Sequence, residues 1–170
     1  MKIFINHLLA LVFVFSVHNV FADNAISGFE NIPFGAPLEV VQKEILKKGM
    51  TQTGLVKEED GYHIVQASRG DKWNKSTLTF IIDKKSDQLG LVIEDFTELL
   101  SDKALIKQMT DQYGKPLGEK ATETLFEKIK AGLPADVERI TVWADKQDRF
   151  VRVLYFGSHV AVEYLDTNIL

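Results

Sequence analysis

The side chains best equipped for chemistry are few. Of the four histidines, His63 and His159 lie beyond the first 22 residues. His159 directly follows Gly157-Ser158, and Glu163 comes soon after, so Ser158, His159 and Glu163 hold the residue types of a hydrolytic triad. Ser158 and His159 are neighbours at an expected hairpin tip, where nothing orients the imidazole as a base toward the hydroxyl. No strand–turn–helix elbow surrounds the serine. A hydrolase is therefore the most distant reading. His63 and His159 fall on separate hairpins without the spacing of metal ligands. Carboxylates are plentiful: Glu58-Glu59-Asp60 at a turn, Glu94-Asp95 near a strand end, Glu123 and Glu127 on a helix. Acid–base catalysis needs one carboxyl of a pair desolvated, and turns and helix faces keep such groups in water. The chain has no calcium-loop pattern and no glycine-rich phosphate loop. It has no cysteine, which excludes disulfides, thiol redox chemistry and cysteine-bound zinc. No catalytic, metal-binding or cofactor-binding residue is assigned, and neither an enzyme nor a cofactor is expected.

Contact chemistry is better represented. The last thirty residues read as a three-stranded antiparallel meander over 137–144, 149–156 and 159–165. Gly157-Ser158 has glycine at the first central position of a two-residue turn. That sets Val160 opposite Tyr155, Val162 opposite Val153 and Tyr164 opposite Val151. A four-residue turn over 145–148 then sets Val142 opposite Val151 and Ile140 opposite Val153. Alternation of side chains puts all these residues, Ile140 and Val142 included, on one inward face. The same register expects Trp143, Phe150 and Leu165 side by side on the other face, with Leu154 and Phe156 further along and Arg152 facing Glu163 and Thr141. Aromatics mixed with charge read either as a contact surface for a partner or as a face covered by the third helix, the N-terminal lead-in or the other half of the chain. Trp73, in a loop with Asp71, Lys72, Asn74 and Lys75, is likewise either a contact residue or a lid on the core. The expected partner-binding set is Trp143, Phe150, Arg152, Leu165 and Trp73.

The supporting helices and strands are legible from period and punctuation. Pro37 suits a helix's first turn, Leu38, Val41 and Ile45 make one stripe with Leu46 beside them, and Gly49 supplies a left-handed stop. A helix is expected over 37–48. Residues 52–69 read as a hairpin around Asp60-Gly61, with Val56 facing Val65 and Lys57 facing Ile64. Two strands follow, over 77–82 and 89–96, joined by a polar turn. Ser101 and Asp102 open a second helix with Leu105, Met109 and Tyr113 at four-residue spacing, closed by Gly114 and Pro116. Residues 119–131 form a third helical stretch with Leu125, Phe126 and Ile129 apolar. The expected fold is α+β, with two or three helices packed on an antiparallel sheet. A glycine-closed helix followed by antiparallel strands occurs twice, so the layout reads as tandem halves over 30–98 and 99–170.

The 170 residues, 45% hydrophobic and 26% charged, suit one globular domain rather than a disordered chain. Lys2, an apolar run over 8–17 and Val20-Phe21-Ala22 make the three parts of a signal peptide, with cleavage expected after Ala22. The run is half of the roughly 20 residues a membrane span needs. Residues 23–170 are expected as a single α+β domain, periplasmic or secreted, without stable membrane insertion. Loss of residues 1–22 removes Lys2 and no acid, leaving 19 basic against 24 acidic residues, a formal charge of −5. An evenly charged, mildly acidic domain is a poor nucleic-acid binder.

Ile32-Pro33-Phe34-Gly35 with the helix ending at Gly49, and Tyr113-Gly114-Lys115-Pro116 with Trp143 and a hairpin, together resemble small periplasmic α+β modules of the BamE (SmpA/OmlA) and beta-lactamase-inhibitor-like kind. The resemblance implies helices on one face of an antiparallel sheet and a protein that works by binding other proteins. The lipoprotein cysteine of the BamE kind is missing here. The expected function is a non-enzymatic binding protein engaging a protein partner through a sheet face; the alternative is a carrier of a small apolar molecule between helices and sheet.

Overall fold

The computed structural model describes residues 24–70, 75–96, 102–129 and 136–170, the side chains of residues 102 and 126–129 excepted. The expected signal segment and Trp73 lie outside the described residues. In chain order the elements are β1 Gly28–Phe29, β2 Ile32–Pro33, α1 Leu38–Lys47, β3 Thr51–Gln52, β4 Lys57–Glu59, β5 Tyr62–Gly70, β6 Lys75–Asp83, β7 Gln88–Phe96, α2 Asp102–Tyr113, α3 Glu119–Ile129, β8 Arg139–Ala144, β9 Arg149–Tyr155 and β10 Val160–Asp166. This is the α+β class the sequence implied.

Among the described residues the main sheet has eight strands in the order β3-β5-β6-β7-β10-β9-β8, with β4 also paired to β5. All its pairs are antiparallel. Each half contributes a meander, and the last strands of the two meanders, β7 and β10, pair with each other. The halves therefore share one sheet and one interior.

Local chemistry explains the turns. Asp60 and Gly61 both take positive φ, 47° and 87°, and the tight hairpin between them sets Lys57 opposite Ile64 as expected. Helix α1 starts after Pro37 and stops at Gly49, φ 69°. It buries Val41 and Ile45, but Leu46 is 68% exposed and leaves the expected stripe. Gly157-Ser158 closes β9 to β10 with Phe156 N donating to His159 O, and the pairs Val160–Tyr155, Val162–Val153 and Tyr164–Val151 stand as expected.

The preceding hairpin departs from expectation. Asp145 N donates to Arg149 O, so the loop proper is Lys146-Gln147-Asp148, with Asp148 at φ 56°. A three-residue loop ending in a left-handed residue adds a bulge and moves the register by one. Asp145 holds it: its Oδ1 accepts Gln147 N at 2.8 Å and Arg149 N at 3.2 Å. Its Oδ2 accepts Ile26 N at 3.0 Å, tying in the N-terminal segment. Trp143 consequently faces Val151, Val142 faces Arg152 and Ile140 faces Leu154. A one-residue shift turns every side chain of β8 over. Trp143 joins the core, and Ile140 and Val142 leave the face where the four-residue turn would have put them.

The first face of the sheet carries that core. Rows such as Val65–Phe80–Val92–Tyr164–Val151–Trp143 run across the strands. They are covered by Phe29, Ile32 and Phe34 of the lead-in, Val41 and Ile45 of α1, and Leu105, Met109 and Tyr113 of α2. Phe29 meets Phe80 and Tyr164 edge to face.

Candidate functional site

The second face is where binding was expected, and its two halves differ. On the β8–β10 side, Val142, Ala144 and Phe150 form a separate buried cluster, with Leu117, Leu125, Ile140 and Leu165 packed against it. Leu125 belongs to α3 and Leu117 to the turn before it. Leu117 N donates to Val142 O at 2.8 Å, so the entry to α3 is stitched to the outer edge of β8.

The expected surface of Trp143, Phe150, Arg152 and Leu165 is therefore corrected. Trp143 is 0% exposed and on the other face, its Nε1 donating to Gly114 O at 2.9 Å. Phe150 is 5% exposed beneath the α3 layer. Arg152 does face Glu163, as expected. The pair is buried and directly hydrogen bonded, and the residue across from Arg152 on β8 is Val142 rather than Thr141. Arg152 Nη1 has no hydrogen-bond partner. Burial pushes the Glu163 carboxyl above its ordinary range, against the pull of Arg152. Leu165 is half-buried at the margin of the covered cluster.

Leu165 also opens the other half. It pairs with Leu91 on β7, which pairs with Ile81 on β6, which pairs with Ile64 on β5. One row further along, Ile93 pairs with Thr79 and Thr79 with Gln66. Ile64, Ile81, Leu91 and Ile93 are each only partly buried and belong to neither buried cluster. Tyr62 and Asp83 bound this band on one side, and Ser68, Thr77 and Asp95 on the other. These aliphatics were not among the expected contact residues. Their signal in the sequence is parity. In 77–82 the core residues Leu78, Phe80 and Ile82 occupy even positions, and Ile81 is an aliphatic at an odd one.

Other groups resolve into supporting roles. Ser158 Oγ lies 3.2 Å from His159 Nδ1, but Glu163 is turned to Arg152, so Ser158, His159 and Glu163 do not converge. His159 stacks flat on Phe156, with ring centroids 4.3 Å apart, and its Nε2 is 3.9 Å from Asp95, beyond hydrogen-bond reach. His63 lies 3.8 Å from Glu58. Among the described residues no group of three or more metal-capable side chains converges.

On the first face, buried Glu94 receives Arg69 Nε and Nη2 at 2.7 Å each and Ser76 Oγ at 2.7 Å. Arg69 also pairs with Glu30, which binds Lys48 at 2.7 Å. Burial would raise the Glu30 carboxyl, but Lys48 and Arg69 outweigh it and hold it below its ordinary range. This network fastens lead-in, α1 and sheet together. Two depressions of about 500 and 390 Å³ flank α2; Lys107 and Asp111 line both, and Lys103 and Arg139 line the smaller. Both are open and edged with charge, unlike the apolar pocket a carrier requires.

No helix among the described residues is long and apolar enough to cross a membrane. No protein-family model matches the chain, and neither the curated proteins nor the solved structures yield a match.

Proposed function

We propose that this chain is an exported, non-enzymatic binding protein that receives a protein partner on the half of its second sheet face left uncovered among the described residues. The observation that carries the reading is the aliphatic band of Ile64, Ile81, Leu91 and Ile93, half-buried and outside both buried clusters. Apolar patches rimmed by polar groups on a rigid scaffold mark interaction sites. Here the rim is supplied by Tyr62 and Asp83 on one side and Ser68, Thr77 and Asp95 on the other. The layout also resembles periplasmic modules that act by binding other proteins. The covered half, by contrast, has its apolar residues spoken for by α3.

The test is site-specific photo-crosslinking in the native host. A photoreactive residue at Ile81 is expected to trap a defined partner in the periplasm or medium. One at Lys85, on the exposed β6–β7 turn, is expected not to. Ile81→Asn with Ile93→Asn should abolish capture at a probe placed on Leu91, while far-ultraviolet circular dichroism stays unchanged. Equal capture from the Lys85 probe would sink the reading.

A further inference from the structure

The structure contains its own example of how this face is covered. On the β8–β10 side an amphipathic helix, α3, and the turn leading into it lay Leu125 and Leu117 on Val142, Ala144 and Phe150. The row they cover does not stop there. Ala144, Phe150, Leu165, Leu91, Ile81 and Ile64 are consecutive cross-strand partners, so the surface under α3 runs unbroken into the uncovered half. At about 4.8 Å per strand, the stretch from Leu165 to Ile64 spans roughly 14 Å. That exceeds the roughly 10 Å diameter of one helix and matches the rise of about nine helical residues.

Three observations narrow the occupant. The outer edge of β5 is already filled by β3 and β4, and β4 presents Lys57, Glu58 and Glu59. A partner strand adding to that edge would meet charge, so the partner comes to the face. A second copy offers no apolar helix for this face among the described residues, and band-on-band pairing of two copies would show as a dimer of the purified protein. The outward residues of α3 include exposed Glu119, Lys120, Glu123 and Thr124. Among the described residues the large exposed aliphatics, Val40, Leu46, Leu55 and Leu170, form no helical stripe: Val40 and Leu46 are six positions apart, on different sides of α1. Finally, the band is bounded by Glu59, Asp83 and Asp95 against Lys57 and Lys75, and the chain carries a formal charge of −4.

We infer that the uncovered half is a seat for an amphipathic helix of a partner protein, laid beside α3, with aliphatic residues at i, i+3, i+4 and i+7 and basic flanks. The inference rests on the binding reading above and specifies the partner's form. Sheet and helix then make the layered contact that α3 already makes next door.

The probe is a synthetic helical peptide of about 15 residues, with leucines in that stripe and lysines on its flanks, titrated into the protein purified from its host. Two comparison peptides have the same composition scrambled or glutamates in place of the lysines. Binding is expected to shift the backbone amide resonances of Ile64, Ile81, Leu91 and Ile93. It should weaken by about tenfold with Ile81→Asn, the loss of one contributing apolar contact. The glutamate peptide should bind less tightly, and the scrambled one should leave these resonances in place. Equal shifts with the scrambled peptide, or shifts located elsewhere, overturn the inference. The Ile81 crosslink separates its failure from that of the binding reading. A native partner trapped through an extended segment keeps the binding reading and removes the helix; no trapped partner and no peptide binding remove both.

Discussion

The two halves of the second sheet face begin from similar strands and end in different states. Around β8, β9 and β10 the face holds Phe150, Val142, Ala144 and a buried Arg152–Glu163 pair, and α3 closes over it. Around β5, β6 and β7 it holds Ile64, Ile81, Leu91 and Ile93 with threonines and glutamine between them, outside both buried clusters. The contrast lies in where the free energy of burial is committed. The covered half contributes to folding and has little left for a partner. On the binding reading proposed above, the uncovered half keeps its apolar area for association, since burial there releases water only once something docks.

The sharpest way to break that contrast is at Arg152. If the covered half is part of the folded interior, Arg152→Ala strands Glu163 in an apolar layer, and removing one partner of a buried pair costs about 3–5 kcal/mol. Urea unfolding should show that loss, and Arg152→Met with Glu163→Leu should restore most of it. Acidity gives a second readout of the same pair. The folded-state pKa of Glu163 lies above the ordinary value of 4.5, so over the window from 4.5 upward to that raised value the folded chain binds more protons than the unfolded one. Stability should fall as pH rises through that window, and Glu163→Gln should remove the decline. Glu30 on the first face has the opposite sign. Its lowered pKa contributes stability present above 4.5, which is lost as pH falls through the folded-state value. A Glu163→Gln profile indistinguishable from the parent would mean that the pair is solvated and the covered half is not closed.

A smaller, paired effect compares like with like across the seam. Phe150→Ala removes a ring buried under α3 and should cost about 3 kcal/mol. Ile81→Ala, in the same cross-strand row, should change stability by about 1 kcal/mol or less, because partly exposed positions lose little on truncation. Chemical denaturation of the two variants side by side measures the difference. Equal losses would show the uncovered half to be core, and would remove the surface on which the binding reading stands.

Much of this architecture was legible in the chain because single residues forced it. Asp60-Gly61 and Gly157-Ser158 each admit a narrow choice of turn, and Gly49 and Gly114 end helices where the apolar period ends. Period alone placed Leu105, Met109 and Tyr113 on one stripe. What could not be read was the loop at 145–149. Asp148 takes a left-handed conformation that glycine usually signals, and Asp145 accepts the loop amides with its side chain. Neither device changes the hydrophobic pattern, and β8 is apolar at both parities: Ile140, Val142 and Ala144 on one, Trp143 on the other. A strand with two apolar faces does not specify its register. The same ambiguity hid the site, since Ile81 and Ile93 read as ordinary strand residues until the cover over one half, and its absence among the described residues over the other, could be compared.

The loop therefore offers the finest test. A non-glycine residue in the left-handed region carries a cost of about 1–2 kcal/mol, less for aspartate, whose short polar side chain tolerates it. The Asp148 contacts that matter are made by its carbonyl, which accepts Thr167 N at 3.3 Å and Oγ1 at 2.9 Å. Glycine keeps that carbonyl and relieves the conformation, so Asp148→Gly should stabilise the protein by up to about 1 kcal/mol. Asp148→Val, β-branched in the same conformation, should destabilise it. If the loop instead had four residues, position 148 would not need positive φ, glycine would only add unfolded-state entropy, and Trp143 would turn outward to the face that α3 covers. Opposite signs for the glycine and valine variants hold the register in place, and with it the burial of Trp143 in the first-face core and the closure of α3 over the other side of β8.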